Sequence, residues 1–154
     1  AIFLTGQVFN DLGLPLVIAG NKPSRELQEV VAQHDNVELR VGLTSEDITA
    51  LVRQAHVNIL PTFQATGIKL KLLLALHAGR FCIVNTPMVC HTGLEDLCII
   101  RDSAAEMKSA LKECFLRDFP EEEIGKRRKV LLENGFSNRY NARKLIAMLF
   151  GGQD

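Results

Sequence analysis

The chain contains no tryptophan, one tyrosine and no net charge, its 18 lysines and arginines balancing 18 aspartates and glutamates. Without an excess of positive charge there is no long-range field to draw it towards nucleic acid or an acidic membrane. Nucleic acid is therefore not expected as a partner, although a local basic patch stays open. No apolar run approaches the roughly 18 residues of a membrane span, and no signal-peptide pattern is evident. The four cysteines, Cys82, Cys90, Cys98 and Cys114, form no CxxC and no zinc-like grouping, so no metal is expected. Cys82 and Cys98 fall in apolar, strand-like runs where a small buried hydrophobe fits. This cysteine usage suits a reducing, cytoplasmic compartment.

What is present suits one compact α/β domain. The 154 residues are 47% hydrophobic, enough for a single main core. The chain opens on Ala1-Ile2-Phe3-Leu4 with helical spacing already under way, and it reads as an excised domain. Strand-like and helix-like segments then alternate. Strands are expected at 15–19, 37–41, 57–60, 81–84 and 97–100, the first of them covered on both faces. Helices are expected at 2–12, stopped by Gly13, and after Ser24 with Leu27, Val30, Val31 and His34 on one face. Thr44 with Asp47, and Ser103 with Glu106, form capping boxes for two more. The first of these helices is expected to bury Ile48, Leu51, Val52 and Ala55. The second is expected to turn Met107, Ala110, Leu111, Cys114 and Phe115 inward. Two final helices are expected at 120–133 and 138–150. Such alternation implies a Rossmann-like parallel sheet with helices on both faces and a ligand crevice beyond the carboxyl ends of the strands. The loops of interest are then 20–24, 42–45, 61–69 and 85–94.

The segment LPTFQATGIKLK (residues 60–71) is the most informative of these. A buried strand ends in a short loop that feeds a helix whose first turn is expected to hold Gly67 and two lysines. Free N–H groups at a helix start suit a phosphate or carboxylate, and glycine permits close approach. Gly67, Ile68 and Lys71 are thus candidate phosphate ligands; an ordinary helix start with solvated lysines is the alternative. Asn21 and Lys22 either line the crevice or serve as turn and cap residues. Gly42 and Leu43 either line a base pocket through backbone groups or form a plain strand–helix turn. His91, with Glu95 and Asp96 nearby, is a weak acid/base candidate. His34, His56 and His77 read as structural, and Lys126-Arg127-Arg128-Lys129 as a solvated helix face.

The order of motifs resembles the C-terminal half of a GT-B glycosyltransferase of the group 1 type, family 4. The motifs are LVIAGNKP (16–23), RVGLTSED (40–47), QAHVNILP (54–61) and LALHAGRFCIV (74–84), the last similar to the family's "EAMAxGxPVV". The resemblance covers about residues 14–111. It implies a single nucleotide-sugar-binding domain over residues 1–154, belonging to a longer two-domain protein. It also implies a nucleotide-diphosphate sugar as donor, no metal or other cofactor, and an acceptor glycan or lipid-linked glycan held by a missing N-terminal half. In the full-length protein, the inner face of the membrane joins the cytoplasm as an expected location. On the resemblance, Gly67 and Ile68 offer amides to the diphosphate, and Lys71 is favoured over Lys69. The family's Arg/Lys pair belongs to a segment that would precede Ala1.

Two positions depart from the family. Thr66 and Leu74 stand where it carries glutamates for the sugar and the ribose, and Leu cannot accept a hydrogen bond. Thr66 is therefore a weak catalytic candidate. The departures leave two readings: a divergent hexosyltransferase half that is inactive alone, or a Rossmann-like module that has lost transfer. An exposed interdomain face or an open sheet edge would promote self-association.

Overall fold

The computed structural model describes residues 1–63, 69–136 and 138–150. Five short parallel strands form: β1 (Leu16–Ala19), β2 (Val37–Arg40), β3 (Val57–Leu60), β4 (Phe81–Val84) and β5 (Ile99–Ile100). The helices are α1 (Arg25–Val31), α2 (Ser45–Gln54), α3 (Leu70–Ala78), α4 (Thr86–Val89), α5 (Ala104–Phe115), α6 (Glu122–Glu133) and α7 (Asn138–Phe150). Both expected capping boxes are present: Thr44 and Asp47 open α2, and Ser103 and Glu106 open α5.

The strands form two sheets rather than one. β1 pairs with β2, placing Leu16 opposite Val37; β4 lies between β3 and β5, with Val57 opposite Phe81 and Ile83 opposite Ile99. No described strand hydrogen-bonds β1 to β3. The two sheets nevertheless share one core. Leu16, Val37, Phe81 and Ile83 pack with Leu4 and Val8 of the N-terminal turn and with Met107, Ala110, Leu111 and Cys114 of α5. Side chains alternate across a strand, so Cys82 and Val84 of β4 point the other way. They enter a second core with Leu72, Ala75 and Leu76 of α3, Met88 and Val89 of α4, and Leu131 of α6. Each fully buried leucine here contributes about 2 kcal/mol through its removal from water.

Gly79 ends α3 because nothing larger fits. An added Cβ would collide with the Asn58 side chain and come 2.7 Å from the Ala75 carbonyl oxygen. Asn58 is held in turn, its amide donating to Val52 O at 3.2 Å.

Several expectations are corrected. The first helix starts at Ile2 as expected but is shorter, Ile2 and Phe3 running into a π-helical turn, Leu4–Val8, closed by Phe9 N–H donating to Leu4 O. Gly6 within it and Asn10-Asp11 after it are poor helix formers, which accounts for its shortness. β1 is covered on one face only, leaving Val17 42% exposed. Neither α1 nor α2 fully buries a residue, and His34 lies beyond α1. β5 starts at Ile99 because Glu95–Leu97 forms a 3-10 turn. Residues 86–89, expected as loop, form α4 with Pro87 in its first turn, where its fixed φ suits a helix start. Phe115 faces outward at 46% exposure. Arg127, assigned to a solvated face, is buried: it donates to Arg80 O at 2.6 Å and stacks 5.1 Å from the Phe119 ring centre.

Candidate functional site

The carboxyl ends of the strands carry the sequence-predicted residues. Two loops meet where Asn21 Oδ1 accepts from Gly42 N–H at 3.2 Å. Gly42 has φ +68°, the left-handed region that glycine enters freely. Leu43 is half-buried beside it, and Lys22 is exposed with φ +51°. Among the described residues, Lys22 and His91 (φ +62°) are the two non-glycine residues with positive φ. Both lie on these carboxyl-end loops, and backbone of this kind concentrates at ligand sites.

The first residues after β3 are braced more firmly. Asn85, buried at the end of β4, accepts from Thr62 N–H at 2.9 Å and donates to Thr62 O at 2.7 Å. The next residue, Thr86, donates through its N–H at 2.7 Å and its hydroxyl at 2.8 Å to the Asp102 carboxylate. Those bonds, backbone first, hold Asp102 below the usual aspartate range. Sequence reasoning missed both Asn85 and Asp102. The available signal was Asn85 directly after the apolar run 81–84, and Asp102 two residues past Ile100, at the end where ligands bind.

α3 begins at Leu70 with Lys69 as its cap residue, so Lys71 sits in the first turn. The first N–H groups of any helix have no intrahelical partner and present the positive end of its dipole. Burial, then the neighbouring Lys69, pushes the Lys71 amine below its ordinary range. Among the described residues Lys71 forms no ion pair. Phe63, 75% exposed, stacks edge-on against Phe3 with ring centres 5.7 Å apart, and Leu70 is 82% exposed. Thr66, Gly67 and Ile68 lie outside the described residues.

Other expectations fall elsewhere. His91 is exposed, and among the described residues no hydrogen bond or ion pair joins it to Glu95 or Asp96. His56 Nε2 donates to Cys114 O at 2.8 Å and His34 Nδ1 to Val30 O at 2.9 Å, both structural contacts. A cavity of about 710 Å³ lined by Arg53, His56, Arg80 and Arg128 lies at the amino ends of β3 and β4, away from the predicted site. Among the described residues, no group of three or more His, Cys, Asp or Glu is placed to hold a metal ion. Nor is any helix there long and apolar enough to cross a membrane.

Comparison with known proteins gives the family and the fold. The family model "Glycosyl transferases group 1" matches residues 5–116. No curated protein sequence matches the chain. Among solved structures, the fold is similar to OtsA in its apo form, with TM-score 0.68 and 10% identity over 97% of this chain and 39% of that one. It is similar to the N-terminal domain of Candida albicans trehalose-6-phosphate phosphatase, with TM-score 0.65 and 14% identity over 97% of this chain and 38% of the other. A third likeness is to an alpha,alpha-trehalose-phosphate synthase (UDP-forming) from Burkholderia xenovorans in complex with glucose-6-phosphate. There the TM-score is 0.64 and the identity 14%, over 93% of this chain and 38% of the other. The chain thus spans about two-fifths of the length of these structures.

Proposed function

The chain belongs to the group 1 glycosyltransferases, and from that premise we propose that it is the donor-nucleotide domain of a retaining enzyme. It binds a nucleotide-diphosphate sugar beyond the carboxyl ends of β1–β4, and the sugar passes to an acceptor glycan or lipid-linked glycan on the other half of the protein. In this reading the Gly67 and Ile68 amides and Lys71 hold the diphosphate. Negative charge growing on that leaving group during transfer is stabilised by groups already in place, without a metal. Asn21, Lys22, Gly42 and Leu43 line the nucleotide side.

The observation that carries the reading is the set of polar residues at the carboxyl ends of both sheets. Asn21 joins the ends of β1 and β2, Asn85 joins the ends of β3 and β4, and Lys71 stands in the first turn of α3 without an ion-pair partner among the described residues. An exposed lysine in the first turn of a helix, beside the positive end of its dipole, favours an anion. Isothermal titration with UDP, GDP and their sugars tests this. Binding is expected for at least one, weakened about tenfold (~1.4 kcal/mol) by Lys71→Ala. Absence of binding by all four at millimolar concentration overturns it.

A second reading, a non-catalytic module, is favoured by Leu74. It is half-buried on α3 at the position the family resemblance gives to a ribose-binding glutamate, and it carries no acceptor. Nucleotide binding without sugar transfer by the two-domain protein would select this reading.

A further inference from the structure

Two of the four cysteines face each other. Ile83 stands opposite Ile99 on the parallel strands β4 and β5, so one step back along the same register Cys82 stands opposite Cys98. Side chains directly opposite in a sheet share a face, and here both enter the second core. Neighbouring strands run roughly 4.8 Å apart, within the Cα separations that a disulfide spans. Cys98 precedes the first paired residue of β5 and closes a 3-10 turn, its N–H donating to Glu95 O at 3.1 Å.

The pair is asymmetric. Cys82 is 1% exposed, whereas Cys98 is half-buried and lines a cavity of about 280 Å³ with Arg117 and Arg127. Arg127 is 95% buried by its 5% exposure, and its Nε has no hydrogen-bond partner, its nearest carboxylate being Glu123 at 3.8 Å. A buried guanidinium with unspent donor capacity favours negative charge on a nearby sulfur. The neighbouring Cys82 thiol, then the Arg127 charge, draws the Cys98 thiol below its ordinary range, while Cys82 is pushed up. Cys90 is exposed and Cys114 is buried elsewhere, in the first core.

We propose that Cys98 is an oxidation site at which a hydroperoxide forms a sulfenic acid, resolved by the facing Cys82 to an intrachain disulfide. The Cys98 sulfur attacks the peroxide, taking one oxygen as the O–O bond breaks, and water or an alcohol leaves. The Cys82 sulfur then attacks the Cys98 sulfur; the S–S bond forms, the S–O bond breaks, and hydroxide departs with the thiol proton as water. Two thiols are oxidised and the hydroperoxide is reduced. The product closes residues 83–97 into a covalent ring containing Asn85, α4 and His91.

The test treats the reduced, intact chain with hydrogen peroxide and follows it by mass spectrometry. The expected product is a monomer lighter by two hydrogens whose peptide map joins Cys82 to Cys98. In Cys82→Ala the sulfenic acid persists, and dimedone labels Cys98. The proposal is overturned if Cys90 oxidises while Cys82 and Cys98 remain thiols, or if dimedone leaves Cys98 unlabelled in a Cys82→Ala protein whose circular dichroism is native. Should Cys82→Ala fail to fold, the peptide map of the unmodified sequence decides alone.

Discussion

The half of the molecule built on β1 and β2 differs from the half built on β3, β4 and β5. In the second, every residue of β4 is buried, and α3 and α5 each fully bury four residues. In the first, α1 and α2 fully bury none, and Val17 of β1 is 42% exposed. The carboxyl-end loops repeat the contrast. A single exposed bond joins Asn21 to Gly42, whereas a buried asparagine and a doubly accepting aspartate tie down Thr62 and Thr86. Local stability follows buried contacts and satisfied bonds, so the two sides differ in how readily they open. In the proposed function the side that meets the nucleotide, through Asn21, Lys22, Gly42 and Leu43, is the more adaptable one.

Truncation inside the cores breaks this comparison most directly. Leu76→Ala, at a position with no exposure, should cost about 3 kcal/mol, because a cavity remains where the side chain was removed. Leu51→Ala on α2, half-buried, should cost about 1 kcal/mol. Denaturant midpoints of the two variants give the ratio, and equal losses would erase the distinction between the halves.

The loop braces come next. Asn85→Ala removes both bonds to Thr62 and leaves its N–H and C=O without those partners, an expected cost of about 2 kcal/mol with faster amide exchange at residues 61–63. Asn21→Ala removes one exposed bond and should cost about 0.5 kcal/mol or less. Similar exchange rates in both loops after the two substitutions would remove the basis for calling one side fixed.

How much of this was legible in the sequence follows from how local each signal is. Ser24, Thr44 and Ser103 announce their helices because capping is settled within four residues. The run Phe81–Val84 announces a buried strand because apolar residues in succession have no other use between turn signals. Whether a face is covered depends on distant segments, so Val17 and Phe115 read as buried and are not. Arg127 failed in the opposite direction. Its neighbours in the KRRK run are solvated, and only the approach of Arg80 O and the Phe119 ring, both remote in sequence, makes room for it inside. At the site, Lys71 was visible at a helix start and Asn21 and Gly42 at strand ends, though not the bond that joins the last two. Asn85 and Asp102 stood at strand ends too, but their roles were not visible, since these consist of bonds to Thr62 and Thr86 on other elements.

Leu74→Glu probes the ligand face of the braced side. Leu74 belongs to neither core, so the substitution should cost about 1 kcal/mol or less in stability. If α3 presents this position to a ribose, the carboxylate gains a hydrogen bond and nucleotide affinity rises about fivefold, near 1 kcal/mol. Unchanged affinity, measured by titration with the nucleotide that binds the natural sequence, would separate Leu74 from the ligand.

The smallest effect is electrostatic and compares one carboxylate from each half. Asp47 is held below the usual aspartate range by the N–H and hydroxyl of Thr44, and Asp102 by those of Thr86. A carboxyl whose folded value is lowered contributes stability above its unfolded value of roughly 4 and loses that contribution as pH falls from there through the folded value. Both groups are solvent-exposed, so screening keeps the contribution small in each half. The two differ in reach: Asp47 caps its own helix, whereas Asp102 bridges to Thr86 across sixteen residues. Acid titration followed by amide exchange should therefore release the start of α2 alone when Asp47 protonates. Protonation of Asp102 should release Thr86 and, through Asn85, the Thr62 loop. Asp102→Asn should reproduce that second release at neutral pH, and a Thr62 loop indifferent to it would confine the brace to Asn85.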